Sequence, residues 1–104
     1  MAKTIRIRAS AKGDTTTVKT LITHPMETGL RKNKKTGKVF PAEYIQEVKC
    51  EHNSLTVMTA QWGPAISKNP YLSFQFTGAK KGDSIKISWV DNKGKSDSIA
   101  AKVK

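Results

Sequence analysis

The sequence predicts an all-β protein, an antiparallel β-sandwich of about seven strands forming one domain over residues 1–104. Three observations carry that expectation. Short runs alternate apolar and polar residues with period two, and they are rich in β-branched and aromatic types. Turn-forming residues separate each run from the next. No segment carries the long apolar stripe of an amphipathic helix. Strands of this number and length point to an immunoglobulin-like sandwich, whereas an OB-type barrel would need about five longer ones.

Ile5 and Ile7 alternate with Arg6 and Arg8 to open the first strand, and Lys12-Gly13-Asp14 ends it in a turn. Val18, Thr20 and Ile22 then alternate with Lys19, Leu21 and Thr23, Leu21 making the second face partly apolar. In the third run Tyr44, Gln46, Val48 and Cys50 interleave with Ile45, Glu47, Lys49 and Glu51, so Cys50 is expected to share a packed face with Tyr44 and Val48. His52-Asn53-Ser54 leads into Leu55-Val57-Thr59 set against Thr56-Met58-Ala60. Leu72-Phe74-Phe76, Ile85-Ile87-Trp89 and Ile99-Ala101-Val103 complete the series. In Asp91-Asn92-Lys93-Gly94, Gly94 suits the left-handed position of a hairpin loop.

Two connections exceed hairpin length, His24 to Lys38 and Gln61 to Pro70. The second holds Trp62, Gly63-Pro64, Ile66 and Pro70. So stiff and apolar a loop is ordered rather than a flexible tether, and ordered loops on a β scaffold are where binding tends to reside. Trp62 and Trp89 are read as core anchors, with Trp62 placed to serve at an interface.

Nineteen Lys and Arg against eight Asp and Glu give a net charge of +11, with a dense cluster at Arg31, Lys32, Lys34, Lys35 and Lys38. Such a field attracts nucleic acid, acidic proteins or small anions. The cluster lacks interleaved aromatics for base stacking, because Phe40 and Tyr44 follow it. A basic nucleic-acid-binding β module is therefore the second functional reading. No run approaches the roughly 20 apolar residues of a membrane span. The N-terminal residues Met1 to Arg8 lack a signal-peptide core and, read alone, indicate the cytoplasm. One cysteine excludes an intrachain disulfide.

The chain offers few residues for chemistry. His24, Met26, Cys50, His52 and Met58 are copper-type ligands, but the two-His, one-Cys, axial-Met arrangement lacks its spacing, so no metal and no cofactor are expected. Cys50 with His52 or His24 is the sole thiol–imidazole combination, and a packed cysteine reads as structural. No carboxylate pair stands out as an acid/base couple, and no phosphate loop or nucleophile motif occurs. No catalytic residue is assigned, and the chain is not expected to be an enzyme.

Three stretches together resemble one family: His24 through Lys32, Gln61-Trp62-Gly63-Pro64 through Ser67-Lys68-Asn69-Pro70-Tyr71-Leu72-Ser73-Phe74, and Trp89-Val90-Asp91-Asn92-Lys93-Gly94. In order and spacing they are similar to the SoxZ family of the sulfur-oxidation (Sox) system. The resemblance implies an immunoglobulin-like subunit without catalytic residues. On that resemblance it is expected to pair with the SoxY subunit as a heterodimer or higher assembly and to meet other Sox enzymes transiently in thiosulfate oxidation. It also implies that the sulfur substrate rides on a cysteine in a Gly-Gly-Cys-Gly-Gly tail of SoxY, so Cys50 is not the carrier cysteine. The resemblance further implies a periplasmic location, with export alongside the partner, and nucleic acid is then not an expected ligand. Loop position and apolar character nominate His24, Met26, Arg31, Trp62, Ile66, Lys68, Asn69 and Tyr71 as partner-facing residues.

Overall fold

The computed structural model describes residues 4–104. Seven strands follow in order: β1 (Ile5–Lys12), β2 (Thr15–Ile22), β3 (Ile45–His52), β4 (Leu55–Gln61), β5 (Tyr71–Thr77), β6 (Ser84–Asp91) and β7 (Ser96–Lys102). They form two antiparallel sheets, β1-β2-β5 and β4-β3-β6-β7, with no helix among the described residues. This is the expected immunoglobulin-like sandwich, and the alternation explains it. Ile5 and Ala9 of β1, Val18 and Ile22 of β2, and Ile85, Ile87 and Trp89 of β6 all turn inward. Their neighbours Arg6, Arg8, Lys19 and Lys86 turn out to solvent.

The third strand departs from strict alternation. Ile45 pairs with Asp91 of β6, yet the next pair is Glu47 with Val90, which leaves Gln46 as an extra residue in a bulge. The bulge rotates the strand, so Ile45, Val48 and Cys50 are the fully buried set and Tyr44 is only half-buried. The expected Tyr44–Val48–Cys50 face is corrected accordingly: an inserted residue shifts side-chain parity by one. A second irregularity lies on β4, where Cys50 pairs with Met58 but Glu51 pairs with Thr56, leaving Val57 as the additional residue.

The sandwich closes on one long side. There β1 approaches β7, Ala11 donates to the Lys104 carbonyl at 2.8 Å, and Lys104 donates back to Ala9 at 3.0 Å. The opposite side differs. The inward hydrophobics of β4 and β5, namely Met58, Ala60, Leu72, Phe74 and Phe76, pack against the core but are only partly buried.

The core contains two buried hydroxyls, Thr16 Oγ1 and Thr20 Oγ1, that meet no hydrogen-bond partner among the described residues. An unpaired buried hydroxyl is costly. Thr20→Val is expected to raise stability by about 1 kcal/mol, read as a higher urea midpoint at unchanged slope.

Candidate functional site

The long connection between β2 and β3 is ordered by its own backbone hydrogen bonds. Glu27 and Glu43 bond to each other through both backbone N–H groups, Phe40 N–H donates to Arg31, and Lys32 bridges to Val39. Residues 27–43 thus fold back as an irregular two-stranded ribbon. Its tip is closed by Asn33, whose Oδ1 accepts from Lys35 N–H at 2.8 Å, with Gly37 in the left-handed region at φ 71°. The ribbon carries Lys32, Lys34, Lys35 and Lys38 at its exposed end. Arg31 lies 4.1 Å above the Phe40 ring and bonds to Glu27. That bond, more than any other cause, holds the Glu27 carboxyl below its ordinary value.

His24 anchors the base of the ribbon. It is 3% exposed, and its Nε2 lies 3.1 Å from Oδ2 of the buried Asp91. Met26 N–H donates to His24 Nδ1 at 3.0 Å, which places the ring proton on Nε2, aimed at Asp91. The other carboxylate oxygen, Oδ1, accepts from Lys93 N–H and Lys95 N–H at 2.9 Å each. Burial pushes the Asp91 carboxyl up, but the bond from His24 and those from the Lys95 and Lys93 backbones outweigh it and hold it low. The imidazole meets the Trp89 ring edge-on, with centroids 5.1 Å apart. Asn69, at φ 52°, clamps the His24 backbone from both sides: its Oδ1 accepts from His24 N–H, and its own N–H donates to the His24 carbonyl. Asn92 bonds similarly to Tyr44 and Ala42. Three connections, 23–44, 61–70 and 91–95, are therefore bolted into one end of the sandwich.

His24, Glu43 and Asp91 bring one ligand atom each within 4.8 Å of one another. The donor set does not suit a metal ion. Both imidazole nitrogens are committed to hydrogen bonds, and Glu43 pairs with Lys93 and Lys95 at 3.5 and 3.4 Å. The cluster ties loops together.

The nominated partner-facing residues separate on this geometry. His24 and Met26 are buried, and the Met26 thioether accepts from Ile45 N–H at 3.4 Å; both support the surface instead of forming it. Arg31 and Lys68 are exposed and line a depression with Pro25, Met26, Glu27 and Thr28. The Asn69 side chain is spent on His24. Trp62 and Ile66 are half-buried against the core, the Trp62 N–H donating at 2.9 Å to the carbonyl of bulge residue Gln46. Tyr71 stands exposed on the outer face of β5, in register with Leu21.

Cys50 is fully buried, and burial, with a smaller contribution from Glu51, pushes its thiol up to about 11. Such a thiol is protonated at neutral pH and shielded from reagents. Iodoacetamide at pH 7.5 is expected to leave the native protein unlabelled and to add one carbamidomethyl group after denaturation, by intact mass. His52 is engaged elsewhere, its Nε2 2.8 Å from Asp83 Oδ2.

The family model described as "Sulphur oxidation protein SoxZ" matches residues 5–102. The chain belongs to the SoxZ family. Membership spans both sheets and every loop described above, and it places the protein in sulfur oxidation. Among solved structures, a hypothetical protein, PH1083, of Pyrococcus horikoshii OT3 is similar with a TM-score of 0.65 at 14% identity. The match covers 99% of this chain and 89% of that one, a likeness of fold alone. No curated protein matches the sequence. Within this SoxZ-family chain, Asp91 and Asn92 are the site residues that sequence reasoning passed over as turn material. Their signal was present: an Asp opening a turn accepts N–H groups from residues that follow.

Proposed function

We propose that this chain is the non-catalytic subunit of a periplasmic SoxYZ sulfur carrier in thiosulfate oxidation, exported together with its SoxY partner. Its role is to hold the arm-bearing subunit on a rigid platform, so that successive enzymes meet the sulfur-bearing cysteine in the same setting. The observation that carries this reading is the SoxZ match over residues 5–102. The local chemistry agrees with it. The one cysteine is buried and protonated, and the His24–Asp91 pair is satisfied within the fold. The +11 charge suits steering of the pair toward acidic enzyme surfaces, a contribution that weakens with ionic strength.

Co-expression with the arm-bearing subunit is the test. A stable 1:1 complex by size exclusion and intact mass is expected. Recovery of the chain free of that subunit, or bound to nucleic acid that salt displaces, would point to the basic β module instead.

A further inference from the structure

A sandwich of two open sheets has four edge strands, and edges left unpaired are templates for another chain. Here three of the four are blunted. The β1 edge is partly covered by Lys104 and bears Arg6, Arg8 and Lys12. On β7 stand Asp97 and Lys102, and Asp97 is bonded to Thr4. The β4 edge is distorted by the bulge at Val57. The fourth, β5, has none of these protections. Its sequence Tyr-Leu-Ser-Phe-Gln-Phe-Thr contains no charge and no proline, and its register with β2 runs unbroken from Tyr71 to Thr77.

The hydrogen-bond phase shows what that edge offers. Ile22 N–H donates to the Pro70 carbonyl at 3.0 Å, so Leu72, Phe74 and Phe76 use their backbone groups on β2. The N–H and C=O groups of Tyr71, Ser73, Gln75 and Thr77 point the other way, with no neighbouring strand among the described residues. The side chains of Leu72, Phe74 and Phe76 on this strand pack against the core yet are only partly buried, as are Met58 and Ile66. From Leu55 to Ala79 the single charged side chain is Lys68, in a chain where 26% of residues are charged.

From these observations we infer that β5 is the docking edge for the partner subunit, which adds an extended strand to it and continues the β1-β2-β5 sheet. This rests on the functional reading above and names the surface that reading requires. Charge selects the occupant. Two copies of a +11 chain oppose one another, whereas a neutral or acidic strand does not. An acidic side chain opposite Ser73 also looks across that small residue toward Lys19, which is paired with both Ser73 and Arg8. Strand addition supplies affinity through main-chain bonds and specificity through alternate side chains. The partner's inward side chains would cover Leu72, Phe74 and Phe76.

Two measurements test this. Amide hydrogen exchange on the intact chain, free and in complex with the arm-bearing subunit, is expected to show fast exchange at Ser73 and Gln75 when free and strong protection when bound. Unchanged exchange there in a formed complex overturns the inference. The second uses proline, which removes an N–H. Ser73→Pro deletes only an edge donor and spares the β2 ladder. It is expected to weaken the complex by about 30-fold or more, while Thr59→Pro on the bulged β4 edge leaves affinity unchanged. Equal loss from both, or from neither, overturns the assignment of β5. Self-association of the free chain that protects Ser73 and Gln75 overturns the choice of occupant. If wild-type chain fails to bind the arm-bearing subunit at all, the functional reading falls and this inference with it.

Discussion

Asp91→Ala is expected to destabilise the fold by about 3–5 kcal/mol, the cost of stripping one partner from a buried, hydrogen-bonded charge site. The substitution strands three donors at once: His24 Nε2–H and the N–H groups of Lys93 and Lys95. Asp91→Asn retains the shape but turns an NH2 group toward donors, and about 2 kcal/mol is expected. The effect depends on pH. The folded-state carboxyl of Asp91 sits below its ordinary value, so the ionised form stabilises the protein fully above the unfolded value of about 3.9. That contribution is lost as pH falls through the folded value, because the unfolded chain takes up the proton first. Asp83, held low by Lys80 N–H and then by His52, acts in the same direction. Urea titrations from pH 7 to pH 2 are expected to show wild type and Asp91→Asn converging as the solution is acidified. A constant gap would mean that the carboxylate charge is not what Asp91 contributes.

Trp89→Ala is the second large effect, at about 3–5 kcal/mol. The ring is 6% exposed, it meets the edge of His24 at an interplanar angle of 88°, and its Nε1–H donates to Thr4 Oγ1 at 3.1 Å. Removing it opens a cavity beneath the end where the three connections are tied, and it strips the indole donor from Thr4 Oγ1, which itself donates to Asp97. Trp89→Phe keeps most of the apolar area and loses the donor, so about 1–2 kcal/mol is expected. Because Trp89 and His24 touch, their substitutions should not add: a double-mutant cycle is expected to return a coupling of about 0.5–1.5 kcal/mol. Additivity would place the imidazole's contribution in the Asp91 bond alone.

The strands were legible because burial on one face writes itself as period two, as Ile85-Ile87-Trp89 and Leu72-Phe74-Phe76 show. The bulge at Gln46 was not. An extra residue changes which side faces in without changing composition, and Tyr44 is as plausible a core residue as Ile45. The ribbon of residues 27–43 stayed hidden for a related reason. Its two arms pair through backbone groups and leave Leu30 and Val39 exposed, so no buried face imposes a pattern. The site was half legible. The three motif stretches named the residues that meet at one end, but His24 and Asp91 are 67 positions apart, and nothing local shows that they touch. As a result, loop position marked His24 and Met26 as surface when they are the buried supports of it.

The edge strand was present in the sequence as a charge-free run inside a basic chain, and only the topology turned it into a surface. β5 is an edge because the sheet order is β1-β2-β5, with the fourth strand placed in the other sheet. A rigid end, a buried thiol and an open edge together suit the proposed role of a subunit that holds another and leaves the chemistry to it.

Intact-mass analysis of the native complex after exposure to thiosulfate and the oxidising enzymes of the pathway tests that claim most directly. Sulfur adducts are expected on the arm-bearing subunit, with this chain at its unmodified mass. A sulfur adduct on Cys50 would contradict it.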